Sequence, residues 1–428
     1  MRIKGEYMKV VIIGGGWAGC SAALQAVKCG ADVELYERTD LLLGIGNVGG
    51  IMRNNGRFTA AEELINLGSG EFIEIMDSIA LHKNMEFPGH KHAWLCDVGR
   101  AEPIVRRYLL NKGVKIFFKS RVIDVERQQN KIKSLILADK STVVGDVFIE
   151  STGSTGSMPN CIKYGNGCTM CTLRCPSFGA RVSISEKAGI KDKVGERKNG
   201  LNGAMSGSCE ISRESISRDV LKNLAKDGVA IIPIPKEDIH LEKLDNKVCQ
   251  QYATLEFAEN VILLDTGHIK LMTSYYPLDK LRKIKGLENS VYIDPIAGGN
   301  GNSIRYLAAS PRDNKMKING LENLFCAGEK SGFFVGHTEA MTTGTLAGYN
   351  AVQYLKGKDL LELPRDLATG DIIAYANDKI AEDNLYERPT FSGAEYFERM
   401  KDIGLYTINK EAVRERVRRL NLTNIFKE

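Results

Sequence analysis

The chain has 428 residues, which at about 100 to 200 residues per domain suggests two or three lobes rather than one small core. Its 58 basic and 53 acidic side chains leave a formal charge of +5, so composition commits it to neither nucleic acid nor membrane, and 43% apolar residues suffice for burial. No apolar run reaches the roughly 18 residues of a bilayer span, and MRIKGEY at the start lacks a hydrophobic signal region. The expectation is a cytoplasmic chain with no membrane contact, whose ten cysteines are thiols, metal ligands or redox groups before disulfides.

The first element predicted is Val10 to Ile13, a short apolar run of the kind that forms a parallel strand buried on both faces. Gly14, Gly16 and Gly19 follow in G-x-G-x-x-G register: the first permits the tight turn, the second lets backbone approach a pyrophosphate, and the third lets a helix lie close on the strand. Ala22, Ala23, Ala26 and Val27 form the inner face of that helix, and a second strand, Val33 to Tyr36, ends at Glu37. An acid at that distance meets a ribose hydroxyl, so the stretch reads as a dinucleotide site.

Residues 41 to 58, dense in Gly and Asn, predict a loop over a ligand, and 60 to 80 have helical spacing. His82, His90 and His92 match no common zinc spacing, and Pro88-Gly89 marks a surface turn. Residues 102 to 112 read as helix, and four β-rich runs follow up to a strand ending in Ser151-Thr152-Gly153, a second glycine-bearing strand end beside the ligand. Short strands such as VAIIPIP and NVILLDTG predict an inserted substrate domain, and residues 294 to 302 another ligand loop. Asn323 to Glu329, NLFCAGE, is a buried strand ending in Gly328-Glu329, and Gly336 to Tyr354 is a small-residue helix stopping at Lys356-Gly357. The tail from Pro364 is mostly helical, with Val413, Val417 and Leu420 on an apolar stripe and Arg414, Arg416, Arg418 and Arg419 on a solvated face.

GGGWAG, the strand into Ser-Thr-Gly and NLFCAGE before its helix together resemble the two-dinucleotide-fold flavoproteins of the glutathione-reductase type. NLFCAGEKSGFFVGHTEAMTTGTLAGYNA is similar to the glucose-inhibited-division type of tRNA-modifying flavoproteins and to the folate-dependent tRNA uracil methyltransferases. The resemblance implies FAD as cofactor, with Gly14, Gly16, Gly19 and Glu37 on its ADP half, Gly153 beside it, Gly328 and Glu329 near the ribityl phosphate, and the helix from Gly336 aimed at the flavin. It also implies an α/β fold: a three-layer Rossmann-like FAD domain in two parts, 1–156 and 291–357, an inserted mixed α+β domain at 157–290, and a helical tail at 358–428, assembling as a homo-oligomer.

Cys161, Cys168, Cys171 and Cys175 are spaced C-x6-C-x2-C-x3-C-P, the last three and the proline matching the bacterial ferredoxin run. Four readings compete: a [4Fe-4S] cluster, to which Cys209 adds a spare ligand; a redox dithiol at Cys168 and Cys171; structural zinc on all four; or unligated thiols. Cys20, Cys29 and Cys326 read as core fillers. The leading expectation is an FAD-dependent oxidoreductase with this cluster exchanging electrons with the flavin, its catalytic candidates Glu329, His337, Cys168 and Cys171, with Glu339 nearby. Residues 41 to 95 hold no cysteine where the methyltransferases carry one, so a small-molecule or protein redox partner is placed ahead of tRNA. The alternatives are an FAD- and folate-dependent tRNA-modifying flavoprotein and a non-catalytic flavin-binding protein with zinc.

Overall fold

The computed structural model describes residues 8–153, 178–202, 204–206, 208–247, 250–273, 276–293, 303–305 and 307–427. The four-cysteine run and the loop 294–302 lie outside them.

Five parallel strands form the centre: β1 (Lys9–Ile13), β2 (Asp32–Tyr36), β3 (Lys115–Phe117), β4 (Val147–Glu150) and β5 (Leu324–Cys326), in the spatial order β5-β4-β1-β2-β3. Alternation along β1 explains its unbroken apolar run. Val10 and Ile12 enter the core shared with helices α1 (Trp17–Lys28) and α2 (His337–Leu355), while Val11 and Ile13 enter the core on the other face. That second face is covered by an antiparallel meander of Val122–Gln128, Lys131–Leu137 and Thr142–Val144. Helices, parallel sheet and meander are the three expected layers. Between β3 and β4 the chain makes three strands, so the segment predicted as four β-rich runs holds five strands in all.

Helices α1 and α2 meet at backbone distance. A Cβ on Gly344 would lie 2.2 Å from the Ala18 carbonyl oxygen and one on Gly348 2.4 Å from that of Ala22, so small residues are what allow this contact. An antiparallel sheet of Cys209–Ile211, Val229–Pro233, Asn260–Thr266 and His268–Leu271 carries a separate core within the segment predicted as inserted. Cys209 is buried in that core, opposite Leu271.

Three local expectations are corrected. The loop 41–58 gives way to a strand at Ile51–Met52 and a helix at Gly56–Asn66, and a second helix, Glu71–Ser78, follows. The histidines belong to a hairpin, Ala80–Phe87 with His90–Cys96; His90 is buried rather than on a surface turn, stacked between Phe87 and Tyr252. The helix expected at 102–112 starts earlier, at Val98, where Asp97 caps Gly99 N, with Pro103 inside it. The tail forms helices Ala368–Ala381, Ala394–Asp402 and Lys410–Arg419. Val413 and Val417 are buried, Arg414 and Arg418 pair with Glu411 and Glu415 on the exposed face, and Arg416 reaches the buried Glu63. Among the described residues no helix is long and apolar enough to cross a membrane, and no group of three or more His, Cys, Asp or Glu side chains is placed to hold a metal.

Candidate dinucleotide and flavin site

The carboxyl ends of β1, β2 and β4 open into one cavity of about 310 Å³ that runs to the N-terminus of α2. Gly14, Gly16, Glu37, Gly153, Gly328, Glu329 and His337 all line it, which brings together residues separated by more than 300 positions. Gly19 does not line it; it serves the turn from behind. Its Cβ would lie 1.9 Å from the Gly14 carbonyl oxygen and 2.6 Å from Ser151 Oγ, so α1 rests on the strand only because position 19 has no side chain.

The glycines divide the work. Gly14 turns at φ +100° with Ser151 Oγ donating to its carbonyl at 2.7 Å. Gly16 sits at the N-cap of α1 with an ordinary φ of −66°, and a Cβ there would meet no protein atom within 4 Å. The protein itself therefore does not need glycine at 16, whereas a pyrophosphate brought against the first amides of α1 would. Glu37 is held in place beforehand: Oε2 accepts from Gly15 N at 2.7 Å, and Oε1 from Thr39 N and Thr39 Oγ1, each at 2.8 Å.

The other end is built from the glycine-rich turn at Gly44–Val48 and the start of α2. A Cβ on Gly46 would strike the Trp17 indole at 2.2 Å and one on Gly49 the His337 ring at 1.9 Å, so this turn presses on both rings. Lys270 Nζ donates to the carbonyls of Val48 and Gly49 and fixes the turn to the antiparallel sheet. His337 Nε2 donates to the Gly46 carbonyl at 3.3 Å, which leaves Nδ1 as an acceptor. Burial, followed by the positive charge of Arg57 and then that of Lys270, pulls the His337 pKa down to about 3, so the ring is neutral at pH 7. Among the described residues, His337 Nδ1 and Trp17 Nε1 are buried with no hydrogen-bond partner. Two orphaned polar atoms beside one cavity are what a missing polar ligand leaves behind. The residues present fit a dinucleotide whose ring end reaches α2.

Glu339, expected near the chemistry, is committed elsewhere. It is fully buried and accepts from Arg57 Nε at 3.2 Å, Thr390 Oγ1 at 2.8 Å and Phe391 N at 2.8 Å, pinning the C-terminal segment to the first turn of α2. Glu329 lines the cavity within electrostatic reach of the buried Arg388. Sequence reasoning missed Trp17, Arg57 and Gln251, which line the cavity, and a fully buried cluster behind it. There Glu150, at the end of β4, accepts from Ile184 N and Ser185 N at 2.8 Å and lies 3.8 Å from Lys330 Nζ, which also pairs with Asp192. Burial raises the Glu150 pKa, with Lys330 opposing. Lys330, directly after Gly328-Glu329, is the residue that needs Glu150, since a lysine buried in the turn Gly328–Ser331 requires a carboxylate.

Residues 9–254 and 241–359 match the family described as "Glucose inhibited division protein A". The chain belongs to that family. The expected resemblance to the glucose-inhibited-division flavoproteins and the α/β fold class are thereby borne out. The chain is 23% identical over 410 residues to the tRNA uridine 5-carboxymethylaminomethyl modification enzyme MnmG of Clostridium botulinum (strain Loch Maree / Type A3), covering 83% of this chain and 63% of that relative. It is 21% identical over 505 residues to the enzyme of the same name from Alkaliphilus metalliredigens, covering all of this chain and 78% of the relative. Among solved structures, the form II crystal of Aquifex aeolicus GidA shares the fold at a TM-score of 0.63 and 16% identity, over 98% of this chain and 77% of the other. The chain thus spans under two thirds of the Clostridium relative's length.

Proposed function

We propose that this member of the glucose-inhibited-division family is an FAD-dependent enzyme acting on a uridine-type base of tRNA. This reverses the order expected from charge and cysteine content, which placed a redox partner ahead of tRNA; the names of the MnmG relatives support the reversal. The observation that carries the flavin half of the proposal is the single cavity joining the Gly14–Gly16 turn and Glu37 to the start of α2, with Trp17 Nε1 and His337 Nδ1 buried and unpartnered beside it.

In this reading the amides of α1 beyond Gly16 hold the pyrophosphate, Glu37 takes the ribose hydroxyls, and Gly153, Gly328 and Glu329 flank the ribityl chain. When bound, FAD supplies two-electron chemistry at its ring. His337, neutral and anchored on Gly46, accepts a hydrogen bond at Nδ1, and the positive N-terminus of the 19-residue α2 favours negative charge next to it. A folate is the donor that the resemblance to the methyltransferases adds.

The test is direct. The purified chain, denatured after desalting, should release about one FAD per chain, and incubation with unmodified tRNA and reductant should change the mass of a uridine nucleoside. A chain that releases no flavin ends the proposal.

The thiolate spacing at Cys161, Cys168, Cys171 and Cys175 favours a second reading, a [4Fe-4S] or zinc centre exchanging electrons with the flavin or only bracing its segment. Metal analysis of anaerobically purified protein decides it: iron with broad visible absorption, zinc, or neither.

A further inference from the structure

The cavity continues past His337 onto residues of the antiparallel-sheet region, among them Lys247, Gln251, Tyr252 and Met272. Gln251 is only 6% exposed, and its Oε1 is buried with no hydrogen-bond partner among the described residues. A buried amide oxygen left without a donor is destabilising, and a ligand donor removes that penalty. The side chain has little freedom to escape. A Cβ on Gly393 would lie 2.4 Å from Gln251 Cβ, and the neighbouring Gln250 donates from Nε2 to the Tyr386 carbonyl at 3.4 Å. Tyr252 is held in turn by a stack: its ring lies on His90 at 5.0 Å and 8°, His90 lies on Phe87 at 4.3 Å and 9°, and Pro88 O fixes His90 Nδ1 at 2.8 Å. The place is also clear. Gly393 follows directly on Thr390, Phe391 and Ser392, the segment whose Thr390 and Phe391 close on Glu339, so the segment packed on Gln251 is tied to the first turn of α2.

We infer that Gln251 is a specificity-determining residue that reads the amide edge of a planar ring placed against the flavin. A side-chain amide offers an acceptor and a donor side by side, the complement of a ring bearing N–H next to C=O. The ring chemistry is shared by the imide edge of a uracil base and the carboxamide of a nicotinamide reductant. The inference rests on the flavin reading proposed above and adds to it the residue that selects what the flavin meets.

The experiment uses the FAD-loaded chain, with uridine 5′-monophosphate, its N3-methyl derivative and NADH each titrated anaerobically against the flavin spectrum. Gln251→Leu and Gln251→Met, two variants of similar volume so that at least one folds, should keep flavin content and melting temperature. They should weaken the probe read by Gln251 about ten- to hundredfold. Loss confined to uridine monophosphate, with the N3-methyl derivative bound equally weakly by wild type and variant, assigns the imide edge; loss confined to NADH assigns the carboxamide. Equal affinity of wild type and variants for every probe, or no response of the wild-type flavin to any of them, overturns the inference. A chain that holds no FAD fails earlier and sinks the flavin reading instead.

Discussion

At the end of the cavity lined by Gly14, Gly16 and Glu37 the protein satisfies itself: both oxygens of Glu37 already accept hydrogen bonds, Ser151 covers the Gly14 carbonyl, and the shape comes from missing side chains. At the end near α2, Trp17 Nε1, His337 Nδ1 and Gln251 Oε1 are buried without partners among the described residues. A site held by backbone geometry tolerates an empty state at no electrostatic cost, whereas one made of orphaned side-chain atoms is completed only by what binds there. The first end is therefore expected to fail through sterics and the second through lost hydrogen bonds.

The largest effect should come from the clamp that holds the second end together. Glu339→Ala leaves the buried Arg57 guanidinium without its carboxylate and should cost about 3–5 kcal/mol in chemical denaturation, with the tail from residue 390 exposed to proteolysis. A loss below about 1 kcal/mol would mean that the pair does not pin that segment. At the first end, two glycines three residues apart should part company. Gly19→Ala pushes a methyl to 1.9 Å from a carbonyl oxygen and should destabilise the fold by about 1–3 kcal/mol even before ligand is considered. Gly16→Ala adds its methyl to open space at a φ that alanine accepts, so stability should stay within about 0.5 kcal/mol while flavin retention on desalting collapses. If both variants lose stability equally, the second glycine is structural and the pyrophosphate assignment is wrong.

The same contrast explains what could be read from the sequence. The turn, α1, β2, β5 and α2 were legible because sterics writes itself into composition: glycines at fixed offsets, apolar runs for strands buried on both faces, small residues where Gly344 and Gly348 meet Ala18 and Ala22. The second end was not. Arg57, Gln251 and Lys270 lie on three segments with no motif in common, and only the folded chain brings them to one wall. Glu339 was misread because a carboxylate at a helix start looks like chemistry in sequence, while its partners Arg57, Thr390 and Phe391 are 282, 51 and 52 residues away. His90 looked exposed because Pro88-Gly89 does mark a turn; what buries it is the stack with Phe87 and Tyr252, a contact across 162 residues that no local signal carries.

A last effect, confined to acid pH, sharpens the account of His337. Burial lowers its pKa from the usual 6.5 to about 3 in the folded chain, so between those values the unfolded chain binds a proton that the folded chain refuses. Stability owed to the neutral ring is complete above pH 6.5 and falls as the pH drops towards 3. His337→Gln keeps a side chain able to donate to the Gly46 carbonyl but removes the titration. The carboxylates that also titrate in acid are common to wild type and variant, so the difference between their melting temperatures isolates this one ring. That difference should be constant from pH 8 to pH 6.5 and then narrow as the wild type loses stability faster on acidification. Parallel curves down to pH 4 would place the ring in water, protonated as freely when folded as when unfolded, and would remove the unpartnered Nδ1 from the argument for a ligand at the head of α2.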